Sequence, residues 1–156
     1  MKRQIAKAMT MVMLVVGVAL ASAAVANGQR TAVTAQIPFD FVVADKTLSS
    51  GRYEVGRATI GGEALAIRSA GKTEAIRLTS PVDSKNGQIM NAKLVFHRYG
   101  ESYFLSEVWP GGTSRGSQLA KSKQERGMER ELKKIALYHG DQKPVYEVVE
   151  ILLTSR

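Results

Sequence analysis

Apolar and polar residues alternate along much of this chain, which is the pattern of half-buried β-strands. Residues 35–43 place four apolar side chains on one side of a predicted strand: Ile37, Phe39, Phe41 and Val43. Because Pro38 has no backbone N–H to donate, we expect this strand at a sheet edge. A turn-rich link then leads to the next predicted strand, at residues 53–55.

Three tight turns are predicted downstream, each with glycine at the first central position, where a type II′ hairpin needs a positive φ. They are Gly61-Gly62, Gly71-Lys72 and Gly100-Glu101. The Gly71 turn predicts an apolar face built from two cross-strand pairs, Ile67 with Ile76 and Leu65 with Leu78. The Gly61 turn predicts that this face continues onto a third strand. Tyr53 and Val55 would then point to the opposite face, so a bulge near Gly56 is expected to bring them onto the apolar face.

The third predicted hairpin joins residues 92–98 to residues 102–109 and is apolar on both faces. Its pairs alternate between the two sides: Phe96 with Leu105 and Arg98 with Tyr103 on one, His97 with Phe104 and Val95 with Ser106 on the other. A strand pair of this kind needs a covering layer on each face, such as a second sheet or a helix.

A helix is predicted at residues 122–139, because Ser122 and Glu125 fit the S-x-x-E capping box and Gly140 is a suitable stop. Its narrow apolar stripe is Met128, Leu132, Ile135, Ala136 and His139, and Glu129 can pair with Lys133. Residues 141–144 form a polar link. Residues 145–153 then predict a final strand, with a short helix as the alternative.

These elements predict a mainly β fold, an antiparallel meander of six to eight strands forming a sandwich or partly closed barrel, with the helix packed on it. Residues 27–156 have the size of one domain. Residues 1–26 are predicted to be a cleaved secretory signal peptide: a basic start, an uncharged apolar run over residues 8–20 and a small-x-small site at residues 24–26. The apolar run is too short for a permanent membrane span.

The chain has no cysteine, which excludes a disulfide framework, a thiolate zinc site and a lipid-modified N-terminal cysteine. Because the apolar run of the leader is too short to remain as a membrane span, no transmembrane anchor is expected after signal cleavage. Cleavage would lower the formal net charge from +8 to +5, because the leader carries Lys2, Arg3 and Lys7.

No motif in the sequence predicts catalysis, a cofactor or a bound metal. His97 and His139 are the only histidines, and no H-x-x-x-H or paired acidic motif accompanies them. We therefore expect His97 to be a packed residue and His139 to lie at a helix end. No serine stands in G-x-S-x-G or S-x-x-K. A hydrolase would require a cleft in which a serine or carboxylate lies within hydrogen-bond reach of His97.

Two sets of residues are candidates for binding. Trp109 and Tyr99 sit at strand ends, where a polar-tipped ring often stays partly exposed, and with Tyr103 and Arg98 they form the predicted ligand-binding set. The second set could attract an anionic polymer: Arg115, Lys121, Lys123, Arg126, Arg130, Lys133 and Lys134. Because three glutamates interleave the second set, a solvated helix face is the alternative.

Several segments occur in a familiar order: IPFDFVV at 37–43, LxxGxYxV at 48–55, LVFxRYG at 94–100, YFL at 103–105, VW at 108–109 and SxxER at 122–126. In this order the chain resembles small exported bacterial proteins of unknown function. The LxxGxYxV segment is also similar to a strand of many extracellular β-sandwich modules, although Ser49 and Ser50 depart from that pattern. The resemblance implies export and carries over no catalytic or binding residue.

The sequence thus favours an exported, non-enzymatic binding module, periplasmic or extracellular, that binds a ligand or partner through its sheet and the loop after Trp109. The partner would be an envelope protein or polymer, with no specific nucleic acid. The alternative is electrostatic association of the basic segment 115–134 with anionic envelope polymers, which would weaken as salt rises. A hydrolase is the third hypothesis.

Overall fold

The computed structural model describes residues 32–139 and 145–153. The predicted signal peptide at 1–26, the predicted helix stop Gly140 and the link at 141–144 lie outside the described residues, as does the side chain of His139.

Ten strands and one helix follow one another along the described chain. The strands are β1 (Ala32–Ile37), β2 (Phe41–Val43), β3 (Lys46–Leu48), β4 (Gly51–Arg57), β5 (Ala64–Ser69), β6 (Lys72–Asp83), β7 (Lys93–Tyr99), β8 (Ser102–Trp109), β9 (Arg115–Leu119) and β10 (Glu147–Leu152). The helix, α1 (Lys123–His139), lies between β9 and β10. None of the described helical structure is long and apolar enough to traverse a bilayer.

The strands form one open, mixed sheet in the order β1-β4-β5-β6-β9-β8-β2-β3, with β7 on the opposite edge of β8 and β10 beyond β7. The β2–β8 pair is parallel and the other pairs are antiparallel. The predicted mainly β fold with one C-terminal helix is confirmed. The described residues contain ten strands rather than six to eight, and the sheet does not close on itself.

The 12-residue strand β6 connects two layers of this sheet. Its first half pairs with β5 as far as Leu78, and its second half pairs with β9 from Thr79 onwards. The layer containing β1, β4 and β5 thereby faces the layer containing β7, β8 and β9. The main core lies between them, and both layers contribute buried residues: Ala35, Ile37, Tyr53, Val55, Leu65 and Ile67 from the first, Phe41, Leu94, Phe96, Leu105, Val108 and Leu119 from the second.

Residues 35–43 do not form one continuous strand. The chain breaks at Pro38 between β1 and β2, and the corner is closed by a hydrogen bond from the Ser50 N–H to Asp40 Oδ1 (2.7 Å). The expected edge position is confirmed for β1, whereas β2 lies between β8 and β3 and is not at an edge.

The β5–β6 hairpin turns one residue earlier than predicted. Its central residues are Ala70 and Gly71, and both have positive φ, as a type I′ turn requires. A bulge follows, so that Ile67 pairs with Ala75. The predicted pairing of Ile67 with Ile76 is wrong, and the altered register leaves Ile76 and Leu78 exposed rather than in the core.

The β4–β5 connection is a wider loop than the two-residue turn predicted at Gly61-Gly62. It is closed by a hydrogen bond from the Ala58 N–H to the Ala64 carbonyl (2.8 Å). Val55 pairs directly with Ile67. The predicted two-residue turn and the bulge proposed near Gly56 are therefore wrong.

The β7–β8 hairpin forms as predicted around Gly100, which has a φ of 60°. One of its faces lies in the main core through Phe96, and the other carries Phe104 under α1. On that second face Met128 and Leu132 pack against Val42, Tyr99 and Phe104. The prediction that each face of this hairpin needs a cover is confirmed.

Only the first half of the predicted helical stripe is used in this packing, since Ile135 is 55% exposed. The predicted Glu129–Lys133 pair is present at 2.8 Å. β10 confirms the predicted final strand in preference to a short helix.

Candidate functional site

A cleft of about 680 Å³ opens at one end of the two layers, and we call it the end cleft. It lies between the β4–β5 loop and the loop that follows Trp109, and the first residues of β1 and β9 and the second half of β6 complete its walls. The apolar part of its lining, which we call the floor, consists of the half-buried Val33 and of Val55, Leu65 and Val108, which are at most 5% exposed. Its volume falls within the range of about 300–1,000 Å³ that small-molecule sites occupy.

The floor is apolar because it is the outermost part of the core. Side chains alternate along β4, so Tyr53, Val55 and Arg57 share the side that faces the second layer. Tyr53 and Val55 are buried in the main core, whereas Arg57 is exposed. An apolar interior therefore ends at a charged side chain at the mouth.

Three charged residues stand among the lining of the cleft: Arg57, Glu63 and Arg115. The Arg115 guanidinium donates through Nε to Asp83 Oδ1 (3.2 Å), and both side chains are exposed. Within the described part of the chain, the Arg57 and Glu63 side chains have no hydrogen bond or ion pair. Arg57 is thus a charged donor at the mouth with its hydrogen-bonding capacity unused.

The Trp109 ring does not line the end cleft, although Pro110 and Gly111 after it do. Trp109 is only 5% exposed, and its Nε1–H donates to Glu107 Oε2 (2.9 Å). The ring lies against Gly116, where a Cβ atom would stand 2.7 Å from a ring carbon. The expectation that Trp109 stays partly exposed is wrong, because Gly116 allows the ring to pack flat on β9.

The other three predicted ligand-binding residues lie at the opposite end of β8 from Trp109. Tyr103 stacks on Phe39 with ring centroids 3.9 Å apart, and Arg98 lies over the Tyr103 ring at 5.6 Å. Arg98 is also held by Glu147 (3.3 Å). Tyr99 is 3% exposed, so its expected partial exposure is wrong as well. The structure brings Arg98 and Tyr103 together and does not bring Trp109 to them.

A buried polar cluster, which we call the clamp, consists of Ser106, His97 and Glu125. His97 Nδ1 lies 2.8 Å from Glu125 Oε1, and His97 Nε2 lies 3.0 Å from Ser106 Oγ. The predicted pairing of Val95 with Ser106 is wrong. Val95 pairs with Glu107 and Phe96 with Leu105, so Ser106 is the extra residue of a bulge. Glu125 comes from the first turn of α1, so the clamp joins the helix to the β7–β8 hairpin.

The clamp contains the three side-chain types of a serine hydrolase triad at hydrogen-bond distances. Its serine, however, is only 3% exposed, and the Tyr146 ring covers His97 with centroids 4.1 Å apart. None of the three clamp residues lines the end cleft. The burial of Ser106 and the Tyr146 ring over His97 favour a structural role for the clamp, which joins α1 to the hairpin.

Tyr99 contacts the clamp from the end of β7, because its O–H donates a hydrogen bond to Glu125 Oε1 (3.4 Å). Burial of the hydroxyl, and then the charge of the adjacent Glu125 carboxylate, raise the pKa of Tyr99 above its usual value. Tyr99 therefore stays a neutral hydrogen-bond donor well into the alkaline range.

The start of α1 is held by two caps. The Glu125 N–H donates to Ser122 Oγ (3.0 Å), which confirms the serine half of the predicted capping box. The Lys123 N–H donates to Asp45 Oδ1 (2.9 Å). Partial desolvation raises the pKa of the Asp45 carboxyl, but hydrogen bonds from the Gln124 and Lys123 N–H groups outweigh it, so that pKa is lowered.

The predicted basic segment is partly neutralised by its own neighbours. Glu129 accepts hydrogen bonds from Lys121 (2.7 Å) and Lys133 (2.8 Å), and these bonds lower the pKa of Glu129. Arg115 belongs to β9 rather than α1 and pairs with Asp83. Four cations of this segment have no acidic partner within the described residues: Lys123, Arg126, Arg130 and Lys134.

No pattern in the sequence indicated the end cleft, the clamp or the Asp45 cap. The S-x-x-E signal located Glu125, but its carboxylate turns to His97 rather than back to the helix start. Across residues 32–139 and 145–153, no group of three or more acidic or histidine side chains could hold a metal ion.

Comparison of the chain with protein-family models, with curated proteins and with solved structures gives no match.

Proposed function

We propose that this chain is an exported, non-enzymatic binding module that holds a small apolar or amphipathic ligand in the end cleft. Export rests on the basic start, apolar run and small-x-small site of residues 1–26. The observation that carries the binding role is the cleft of about 680 Å³ with an apolar floor and a polar mouth.

The loop after Trp109 contributes to this site through Pro110 and Gly111, and the sheets contribute the floor. The ring of Trp109 supports the wall from behind by packing on Gly116. The non-enzymatic part of the proposal is supported by the burial of Ser106 and by the Tyr146 ring that covers His97. Covalent labelling of Ser106 by a fluorophosphonate probe would contradict that part.

The proposal is tested with a neutral fluorescent probe, N-phenyl-1-naphthylamine, titrated into the protein beginning at Asn27. We expect saturable binding. Ser117→Phe should weaken it at least about tenfold, because Ser117 lines the cleft and a phenyl ring would occupy the space above Val108. Thr34→Phe, which adds the same ring to an exposed position of β1, should leave the affinity unchanged.

Repeating this titration at several salt concentrations, beside a titration with the anionic polymer heparin, separates the proposal from electrostatic association through the basic segment 115–134. Binding in an apolar cleft should hardly change between low and physiological ionic strength, whereas binding of an anionic polymer by lysine and arginine side chains falls steeply. Equal probe binding by the Ser117→Phe variant and the parent protein would reject the end cleft as the site.

A further inference from the structure

Arg57 is the feature of the end cleft that the binding role leaves unexplained. It follows Tyr53 and Val55 on the side of β4 that faces the core, yet it lies at the mouth and is exposed. A guanidinium group at the border of an apolar floor has no role in packing the core. Its position suits recognition of a polar end of a ligand.

The backbone of the β4–β5 loop makes room for the Arg57 side chain. A Cβ atom at Gly62 would lie 3.3 Å from Arg57 Nε and 3.5 Å from its Cδ. Gly62 also has a φ of 75°, which other residues rarely adopt. A glycine at this position therefore lets the arginine stem lie along the loop and keeps its guanidinium at the mouth.

The charges at the mouth favour an anion. Arg57 has no ion pair within the described residues, and Arg115 adds a second guanidinium, which it shares with the exposed Asp83. Glu63 is the one acidic side chain in the described lining, and it folds back over Gly61, with Oε1 3.2 Å from the position of a Cβ there. A guanidinium can bind a carboxylate with two parallel hydrogen bonds.

Resting on the function proposed above, we infer that the ligand of the end cleft is a single-chain amphipathic carboxylate. Its acyl chain lies on the floor formed by Val33, Val55, Leu65 and Val108, and its carboxylate pairs with Arg57. Arg115 contributes long-range attraction at the other side of the mouth.

The test compares hexadecanoate with its methyl ester, both below their aggregation limits, by displacement of N-phenyl-1-naphthylamine from the protein beginning at Asn27. The two ligands share the acyl chain and differ in the charge of the head. We expect the carboxylate to bind about tenfold more tightly, which is about 1.4 kcal/mol, because only the acid can form a charged pair with the Arg57 guanidinium.

Arg57→Gln should remove this preference by weakening hexadecanoate about tenfold while leaving the ester unchanged. Arg52→Gln is the matched control, because Arg52 lies on the same strand, is exposed and points to the opposite side. It should bind both ligands as the parent does. Glu63→Gln should retain or strengthen hexadecanoate binding, whereas a cationic head group would require Glu63.

Equal affinities for the acid and the ester, or an Arg57→Gln variant that binds hexadecanoate normally, would overturn the inference. If the ester still binds and Ser117→Phe still blocks it, the proposed binding function survives that result. If neither ligand displaces the probe, the carboxylate inference is overturned. The proposed binding function is rejected only if Ser117→Phe leaves the affinity for the probe itself unchanged.

Discussion

One hydrogen bond at His97 links the β7–β8 hairpin to α1, and a second joins the two strands of the hairpin. The imidazole has one nitrogen on Glu125 and the other on Ser106, and all three side chains are buried. Buried polar groups that keep their partners contribute modestly to stability, whereas a partner that is removed leaves a desolvated group behind. The clamp therefore fixes the position of α1 on the hairpin and also stabilises the contact between them.

We expect His97→Leu to lower the free energy of unfolding by about 1–3 kcal/mol for each buried group that loses its His97 partner, Ser106 and Glu125. Urea unfolding followed by circular dichroism measures the change. The double variant His97→Leu/Glu125→Leu should recover part of the loss, because it removes the buried carboxylate together with its partner. A His97→Leu variant as stable as the parent protein would contradict the clamp.

At the scale of elements, two glycines give opposite tests of how β9 and α1 are built. Gly116 lies in β9 under the Trp109 ring, where an added Cβ would meet three ring atoms at 2.7–2.9 Å. Gly127 lies inside α1 with no atom within 4 Å of an added Cβ. One position needs glycine for close packing, and the other does not.

Gly116→Ala should lower the free energy of unfolding by about 1–3 kcal/mol, because the Trp109 ring must shift. Gly127→Ala should raise it by about 0.5–1 kcal/mol, because alanine is the better helix former. Thermal unfolding measures both. Trp109 is the single tryptophan, so its fluorescence should change in the first variant and not in the second. Equal stability of the two variants would contradict the Trp109–Gly116 packing.

Local chemistry accounts for the elements that were predicted correctly. The Gly100 turn and the Ser122 cap depend on residues within a few positions of each other, and both form as expected. The Gly71 turn was misplaced by one residue because Ala70 accepts a positive φ, which residue type alone argues against. The resulting type I′ turn and the bulge beside it moved Ile76 to the exposed face.

At the scale of the whole molecule, the proposed export depends on residues 1–26, and its test is the mass of the exported product. We expect bacterial expression of the full chain to yield a protein that begins at Asn27, because the small residues Ala24 and Ala26 suit signal cleavage. Ala24→Glu should block that cleavage. An exported product that retains residues 1–26 would contradict the predicted signal peptide.

The candidate site could be predicted only in part. The sequence indicated that the loop after Trp109 borders a binding region, and Pro110 and Gly111 do line the end cleft. It did not indicate Arg57 as a ligand-binding residue, because a charged residue after alternating apolar residues is found both at the exposed end of a strand and at the mouth of a cleft. Nor did it join Asp45 to the start of α1, since the two lie 78 residues apart in the chain.

By itself the sequence determined the β-rich class, the C-terminal helix and the covered faces of the β7–β8 hairpin, because alternation, capping and turn residues act between near neighbours. The tertiary structure alone decided the register of β5 with β6, the bulge at Ser106 and the cleft at the end of the layers. These features arise where strands distant in sequence meet, and there the best packing of the two layers selects among turns and bulges that local residues would equally allow.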